Sequence, residues 1–277
     1  MFGLLVALAF LGANYFFLKE ILRKEKQGLI VSKEGKSTPR EHVSIITLIA
    51  IVFGFLGAKI FAWLEDPVPL SEFFSDPFSG LTIYGGLITA FVAAVAYLKW
   101  QKMPLFPFMD AVAPGLMISY GIGRLGCHIS GDGDWGVVNN APTPPYLPNW
   151  LWSYNYPNNV LNEGIAVKDC IYNDFCFQLA EPVYPTPLYE TFFALILFLI
   201  LWRLRTRIKI AGQLFFVYLI FNGIERFFIE KIRVNSVYNI AGFSITQAEI
   251  ISVLFVISGV IGFLWLKNQN QESNSNN

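Results

Sequence analysis

The sequence predicts an all-α polytopic membrane protein with seven transmembrane helices, and three observations predict it. Only 14% of the 277 residues are charged against 54% apolar, whereas a soluble domain carries about a quarter charged residues. Apolar runs recur that supply the roughly 20 residues of helix needed to cross a bilayer core of about 30 Å. Bases and acids also fall on opposite sides of these runs, which sets the orientation of the chain.

The runs lie at 2–19, 43–63, 81–100, 110–130, 187–202, 211–231 and 246–266. The first is a helix and not a signal peptide, because its charges, Lys19, Arg23, Lys24 and Lys26, follow the apolar run and do not precede it. The fifth is short but can extend at either end. Between the first two runs stand seven bases, Lys33, Lys36 and Arg40 joining those four; Lys99 and Lys102 follow the third run, Arg203, Arg205, Arg207 and Lys209 the fifth, and Lys267 the last. The alternate loops, 64–80 and 132–186, hold Glu65, Asp66, Glu72, Asp76, Asp132, Asp134, Glu163, Asp169, Asp174 and Glu181, with Lys168 as their one base. The amino end is therefore expected outside and the carboxyl end in the cytoplasm.

A single transmembrane domain over 1–267 follows, with an outer loop insert at 132–186 and a disordered polar tail at 268–277. The insert is rich in Asn, Pro, Tyr and Trp, including Pro142, Trp150, Trp152 and Tyr154, and reads as an irregular cap at the membrane interface. Cys170 and Cys176 within it can pair on an oxidising face or stay free. Three cysteines are too few for a disulfide scaffold, and two histidines, His42 and His128, form no zinc-ligand spacing. The 20 basic and 20 acidic residues cancel, so nothing points to nucleic acid or another polyanion.

Chemistry is expected where charge enters the apolar runs. An arginine near the bilayer centre costs about 2.5–3.5 kcal/mol even on the lenient insertion scale, so Arg124 and Arg226 need a function, a helix-pairing partner or a route to the surface. On the sixth run Asn222, Arg226, Glu230 and Arg233 are spaced i, i+4, i+8 and i+11, one polar stripe in a Phe- and Ile-rich helix. Glu230 can neutralise Arg226 or Arg233, leaving an expected excess of positive charge suited to an anionic group such as a lipid phosphate.

Two motifs mislead. Gly121-Ile-Gly-Arg-Leu-Gly126 fits G-x-G-x-x-G but ends a membrane helix and follows no strand, so no dinucleotide is expected. Asp132-Gly-Asp134-Trp-Gly136 opens like a calcium loop but lacks its later ligands; it reads as a turn in which one carboxylate pairs an arginine. No cofactor is implied.

The run Gly123-Arg-Leu-Gly-Cys-His-Ile-Ser-Gly-Asp132 resembles the G-R-x-G-N-F-x-N-x-E signature of the bacterial prolipoprotein diacylglyceryl transferase family. Tyr84-Gly-Gly-Leu-Ile88 resembles its H-G-G-L-I, Tyr184-Pro-Thr-Pro-Leu-Tyr-Glu190 its H-P-x-Q-L-Y-E, and Arg226-Phe-Phe-Ile-Glu-Lys-Ile-Arg233 its R-F-x-x-E-x-x-R. Four motifs in order are far more specific than one.

The resemblance implies a multi-pass protein of the bacterial inner membrane. Such a protein moves the diacylglyceryl group of phosphatidylglycerol onto the lipobox cysteine of a prolipoprotein signal peptide, forming a thioether and releasing glycerol phosphate. It implies that Arg124 and Arg226 act on the phosphate. Asp132, Asn222, Tyr189, Glu230 and Arg233 would support the substrate, with Asp132 at the signature's glutamate. Tyr84 and Tyr184 stand where the family has histidines. Tyr84 keeps a catalytic motif position, and His128, the one outer histidine, is the other candidate base; its bland alternative is a hydrogen bond to a carbonyl or to Asp132. Cys127 reads as a small helix residue. A non-catalytic lipid-binding protein or a transporter would use the same arginines, although no internal repeat favours a transporter. A retinal receptor is excluded, because residues 246–266 hold no lysine.

Overall fold

The computed structural model describes residues 2–30, 38–67, 69, 73, 81–172, 174–235, 237–240 and 243–275. Lys33, Lys36, Glu72 and Asp76, which entered the charge count, lie outside them. Seven long helices follow in order: α1 (Phe2–Lys26), α2 (Pro39–Glu65), α3 (Ile83–Trp100), α4 (Leu105–Ser130), α6 (Thr186–Leu204), α7 (Gln213–Glu230) and α8 (Gln247–Ser275). A one-turn helix, α5 (Asn149–Trp152), and the two-residue strands β1 (Ile165–Ala166) and β2 (Phe177–Gln178) lie between α4 and α6, and a hairpin of β3 (Val237–Ile240) and β4 (Phe243–Thr246) joins α7 to α8.

Six of the long helices are long and apolar enough to cross a membrane. The exception is α7, where Glu225, Arg226 and Glu230 interrupt the apolar run. The protein is thus mostly helical, with the makeup of a polytopic membrane protein. Leu4, Leu11, Leu48, Phe192, Phe228 and Ile261 are all exposed on long helices, as a hydrocarbon environment favours. Past residue 267 a disordered tail was the expectation, but α8 continues through the polar run to Ser275. That run contains no Gly or Pro to stop a helix.

The chain forms two compact units, residues 17–111 and residues 1–16 with 112–277. In the first, Thr38 caps α2 through a reciprocal pair with Glu41, and Pro39 opens the helix. Lys24 Nζ pairs with Asp110 Oδ2 at 3.3 Å, both buried, and His42 Nδ1 meets the Tyr97 hydroxyl at 2.8 Å. His42 is therefore a satisfied interior histidine. Helices α2 and α3 pack along each other with glycines at the contact: a Cβ on Gly85 would lie 2.4 Å from Phe61 Cβ and 2.7 Å from the Gly57 carbonyl, and one on Gly86 would lie 2.8 Å from the Gly54 carbonyl. The two glycines after Tyr84 have a packing reason.

In the second unit Met117, Ala194, Phe198, Leu201 and Leu214 form a buried core with Phe16 and Trp202 against it. The outer insert is more ordered than an irregular cap. Trp135, Tyr156 and Val183 form a small core of their own, the buried Asn159 binds the backbone of Glu163 and Phe177, and Cys170 and Cys176 are disulfide-bonded.

Gly85→Ala should lower stability by about 1–3 kcal/mol, because the added methyl meets backbone as well as side chain. A thermal unfolding midpoint equal to the parent's would show that α2 and α3 do not need this close approach.

Candidate active site

The second unit gathers charge at one place from five parts of the chain. Arg124 comes from the end of α4, Glu190 from the first turns of α6, Arg226 and Glu230 from α7, and Arg233 from the segment just after α7. Asp134 joins from the loop after α4. Gly131, with φ of +59°, ends α4 by donating its N–H to the Cys127 carbonyl, a left-handed C-terminal cap. The loop is then strapped down. Gly136 N–H donates to Tyr184 O and Val137 N–H to Ile232 O, both at 2.9 Å, and the Thr186 hydroxyl donates to the Asp134 carbonyl. Gly136 is required there, since a Cβ would lie 2.6 Å from the Ile232 carbonyl.

Glu190 is the hub, fully buried. Its carboxylate lies 2.9 Å from Arg124 Nε, 3.5 Å from Arg226 Nη1 and 3.6 Å from Arg233 Nη1, and it accepts a short hydrogen bond from the Tyr120 hydroxyl. Asp134 bridges Arg124 and Arg233. Glu230 pairs with Arg226 Nη2 at 2.9 Å and accepts from Asn235 Nδ2 at 2.7 Å. Burial works to raise the Asp134 carboxyl, but Arg124, Arg233 and Arg226 outweigh it and hold this group below its ordinary value.

The expected excess of positive charge on the stripe is not what assembles. Asp134, Glu190 and Glu230 match the three guanidiniums one for one, and Glu225 is a fourth acid beside them. The stripe alone contains one acid; two of the others come from distant segments. Hydrogen-bonding capacity is left over on both sides: among the described residues Glu190 Oε1 and Glu230 Oε2 accept no hydrogen bond, and several donors are also unused. Arg226 Nη1, Arg233 Nε and Arg233 Nη1 are buried and make no hydrogen bond among the described residues, although their charges are compensated. Buried donors of this kind are costly to leave unmet. They suit an anion with several acceptor oxygens, such as a phosphate.

The other predicted residues take varied places. Asn222 is half-buried one turn before Arg226. The Tyr189 hydroxyl donates to the Leu151 carbonyl at 2.7 Å. Asp132 accepts from the Asp134 N–H at 3.4 Å, a short turn in which the carboxylate that pairs with arginine is Asp134. His128 meets the Tyr156 hydroxyl at 3.2 Å, packed against Tyr154 and Tyr156, so its partner is neither a carbonyl nor Asp132. Burial, with Tyr154 and Asp132 nearby, pushes the Tyr156 phenol far up, and it stays protonated. Tyr84 lies in the first turn of α3, in the other unit. Tyr184 packs edge-on against Trp152. Cys127 is free and half-buried.

Tyr120 and Glu225 were not singled out from the sequence, Glu190 entered only as the last residue of the Tyr184–Glu190 motif, and Asp134 only as a turn residue able to meet an arginine. Glu190 and Glu225 carried a usable signal: each is an acid inside an apolar helix, as unusual there as the arginines.

A membrane-type helical fold around a buried cluster of guanidiniums and carboxylates defines a class: a polytopic membrane protein with donors suited to an anionic group. Comparison with known proteins makes the class specific. The family model described as prolipoprotein diacylglyceryl transferase matches residues 1–265, and the chain belongs to that family. Three similar proteins are each named phosphatidylglycerol–prolipoprotein diacylglyceryl transferase. The one from Leptospira interrogans is 25% identical, covering 99% of this chain and 91% of its own. Clostridioides difficile has one at 28%, covering 88% and 87%, and Staphylococcus aureus one at 30%, covering 78% and 70%.

The lowered Asp134 carboxyl has a signed consequence. Its stabilisation is complete above the unfolded value, about 3.9, and is lost as pH falls through the lower folded value. Between pH of about 5 and 2 the parent's melting temperature should therefore fall more steeply than that of Asp134→Asn. Parallel curves would show that Asp134 is not held by the arginines.

Proposed function

We propose that this protein transfers the diacylglyceryl group of phosphatidylglycerol to the lipobox cysteine thiol of prolipoproteins, forming a thioether and releasing glycerol phosphate. Family membership supports the reaction, and the observation that carries the site is the set of buried arginine donors without hydrogen bonds. The lipid phosphate takes those donors from Arg226 and Arg233, with Arg124 adjacent through Glu190. As the glyceryl C–O bond breaks, charge grows on the phosphate, and guanidiniums already held in place stabilise it without reorganising. Glu230 orients Arg226 by their ion pair, Asp134, itself positioned by Asp132, holds Arg124 and Arg233, Asn222 continues the stripe one turn before Arg226, and Tyr189 lines the adjoining groove.

The thiol must lose its proton to attack, since a cysteine has a pKa near 8.5. His128 is the proposed base, with Tyr84 at the family's motif position as the other sequence-derived candidate. Seven helices span the bacterial inner membrane, α7 included, because the remaining groups of its stripe face protein. The amino end is outside and the carboxyl end cytoplasmic, so lipobox signal peptides are met at the outer side, where membrane lipid supplies phosphatidylglycerol.

With purified protein, phosphatidylglycerol and a lipobox peptide, a thioether-linked product is expected. Arg124→Ala and Arg226→Ala should each lower its rate at least about 100-fold, the scale of losing one preorganised donor. Lys231→Ala should stay within about two-fold of the parent, because Lys231 is half-exposed and pairs with Glu249 away from the cluster. Absence of product, or equal loss from all three substitutions, would overturn the proposal. For the base, His128→Gln should lose the acid limb of the pH–rate profile; an unchanged limb would exclude His128.

A further inference from the structure

The transferase reading uses three arginines and their matching carboxylates but leaves Glu225 without a role. Glu225 is 8% exposed, on a helix that pays for its polar groups. It lines an apolar groove of about 410 Å³ between α6 and α7, whose other walls include Phe193, Leu197, Phe221 and Phe228. Its Oε1 is buried and makes no hydrogen bond among the described residues. Its Oε2 lies 3.3 Å from the Tyr120 hydroxyl, whose other neighbour is Glu190.

This geometry contains a proton count. One hydroxyl carries one proton, and the short contact commits that of Tyr120 to Glu190. Glu190 faces three guanidiniums at 2.9, 3.5 and 3.6 Å, which are its charge partners. With that proton committed, Tyr120 has none left for Glu225 Oε2 at 3.3 Å, and a protonated Glu225 could instead donate to the Tyr120 oxygen. Charge agrees: three guanidiniums are already matched by Asp134, Glu190 and Glu230, and a fourth buried carboxylate would be uncompensated. The ionisable groups facing Glu225 are Glu190 and Tyr189 from α6, Tyr120 and Arg124 from α4, and Arg226 on its own helix. On α8, which packs along α7, Glu249 is paired with Lys231.

We infer that Glu225 is a neutral carboxylic acid in the resting protein and is the general acid of the transfer, giving its proton to the departing glycerol phosphate. The inference rests on the transferase reading. The apolar groove suits the hydrocarbon of a phospholipid, and Glu225 in its wall is followed in the chain by Arg226, a proposed phosphate ligand, so a lipid in the groove would bring its phosphate toward Glu225. In the step, the sulfur electron pair forms the S–C bond to the glyceryl carbon and the C–O pair leaves onto the phosphate oxygen. The Glu225 proton then joins a phosphate oxygen, so glycerol phosphate departs as a monoanion. The thiol proton passes to the base and on to solvent, and Glu225 takes one back from solvent, so protons balance over the cycle. Without this proton, a phosphate dianion would form in a centre whose positive charge is already matched.

The test is the pH–rate profile of the purified full chain with phosphatidylglycerol and a lipobox peptide. A general acid works only while protonated, so the parent's rate should fall on an alkaline limb. Glu225→Gln keeps the shape of the side chain and should lower kcat about 100-fold, leave KM for phosphatidylglycerol within about two-fold, and abolish that limb. Tyr120→Phe keeps the acid but removes its acceptor, and should move the limb to a different pH. Parent-like kcat in Glu225→Gln, or an alkaline limb unmoved in both variants, overturns the inference. If the parent itself yields no thioether, it is the transferase reading that falls; an active parent with an unaffected Glu225→Gln removes Glu225 alone.

Discussion

The contact on which the rest depends is the fully buried Glu190 carboxylate among three guanidiniums. A lone charge at that depth would be prohibitive, and so would three unpaired arginines; each makes the other tolerable. Because its partners come from α4, α7 and the segment beyond α7, the cluster also fixes where those elements end relative to α6. The straps from Gly136 and Val137 onto Tyr184 and Ile232 complete the arrangement by carrying Asp134 to its two arginines. In this geometry guanidinium donors and carboxylate oxygens are both left without hydrogen bonds, and the free donors are what an incoming phosphate would find.

The cluster is balanced in charge yet unsaturated in hydrogen bonds, and that distinction shapes its chemistry. A site with a large positive excess would hold any anion tightly, including the product. A site whose charge is matched binds through directed donors, which favours an anion of the right shape and lets the phosphate leave once its bond to carbon is broken. The apolar groove between α6 and α7 adds the second selective element, since a free inorganic anion has nothing to place there. Glu225 belongs to both parts, standing in the groove wall while joined through Tyr120 to Glu190.

Much of the fold was legible. Apolar runs located all seven long helices, with ends shifted where capping decided them, as at Thr38 and Glu41 before α2. Past residue 267 composition misled, because a polar run after a helix reads as disorder although nothing in it stops the helix. The site was legible in its arginines, since charge inside an apolar helix is conspicuous in one dimension. Its acids were harder. Asp132 was favoured over Asp134 by alignment to a signature, and only the turn after Gly131 determines which of the two side chains points at Arg124. Tyr120 is unremarkable in an aromatic-rich chain until it is found between two carboxylates.

By itself, then, the sequence determined the membrane character, the number and placement of the long helices, the polar stripe of Asn222, Arg226, Glu230 and Arg233, and the ordered motifs of a transferase family. These are written in composition and in spacing along a single helix, which local physics translates directly. Only the tertiary structure decided that Glu190 sits at the centre, that Asp134 and not Asp132 bridges Arg124 and Arg233, that His128 turns to Tyr156, and that Tyr120 links Glu190 with Glu225. Each of these depends on residues from 10 to 105 positions apart in the chain. No spacing rule spans such separations, because the pairings arise from burial, where a charge must find whatever partner the folded backbone brings within reach.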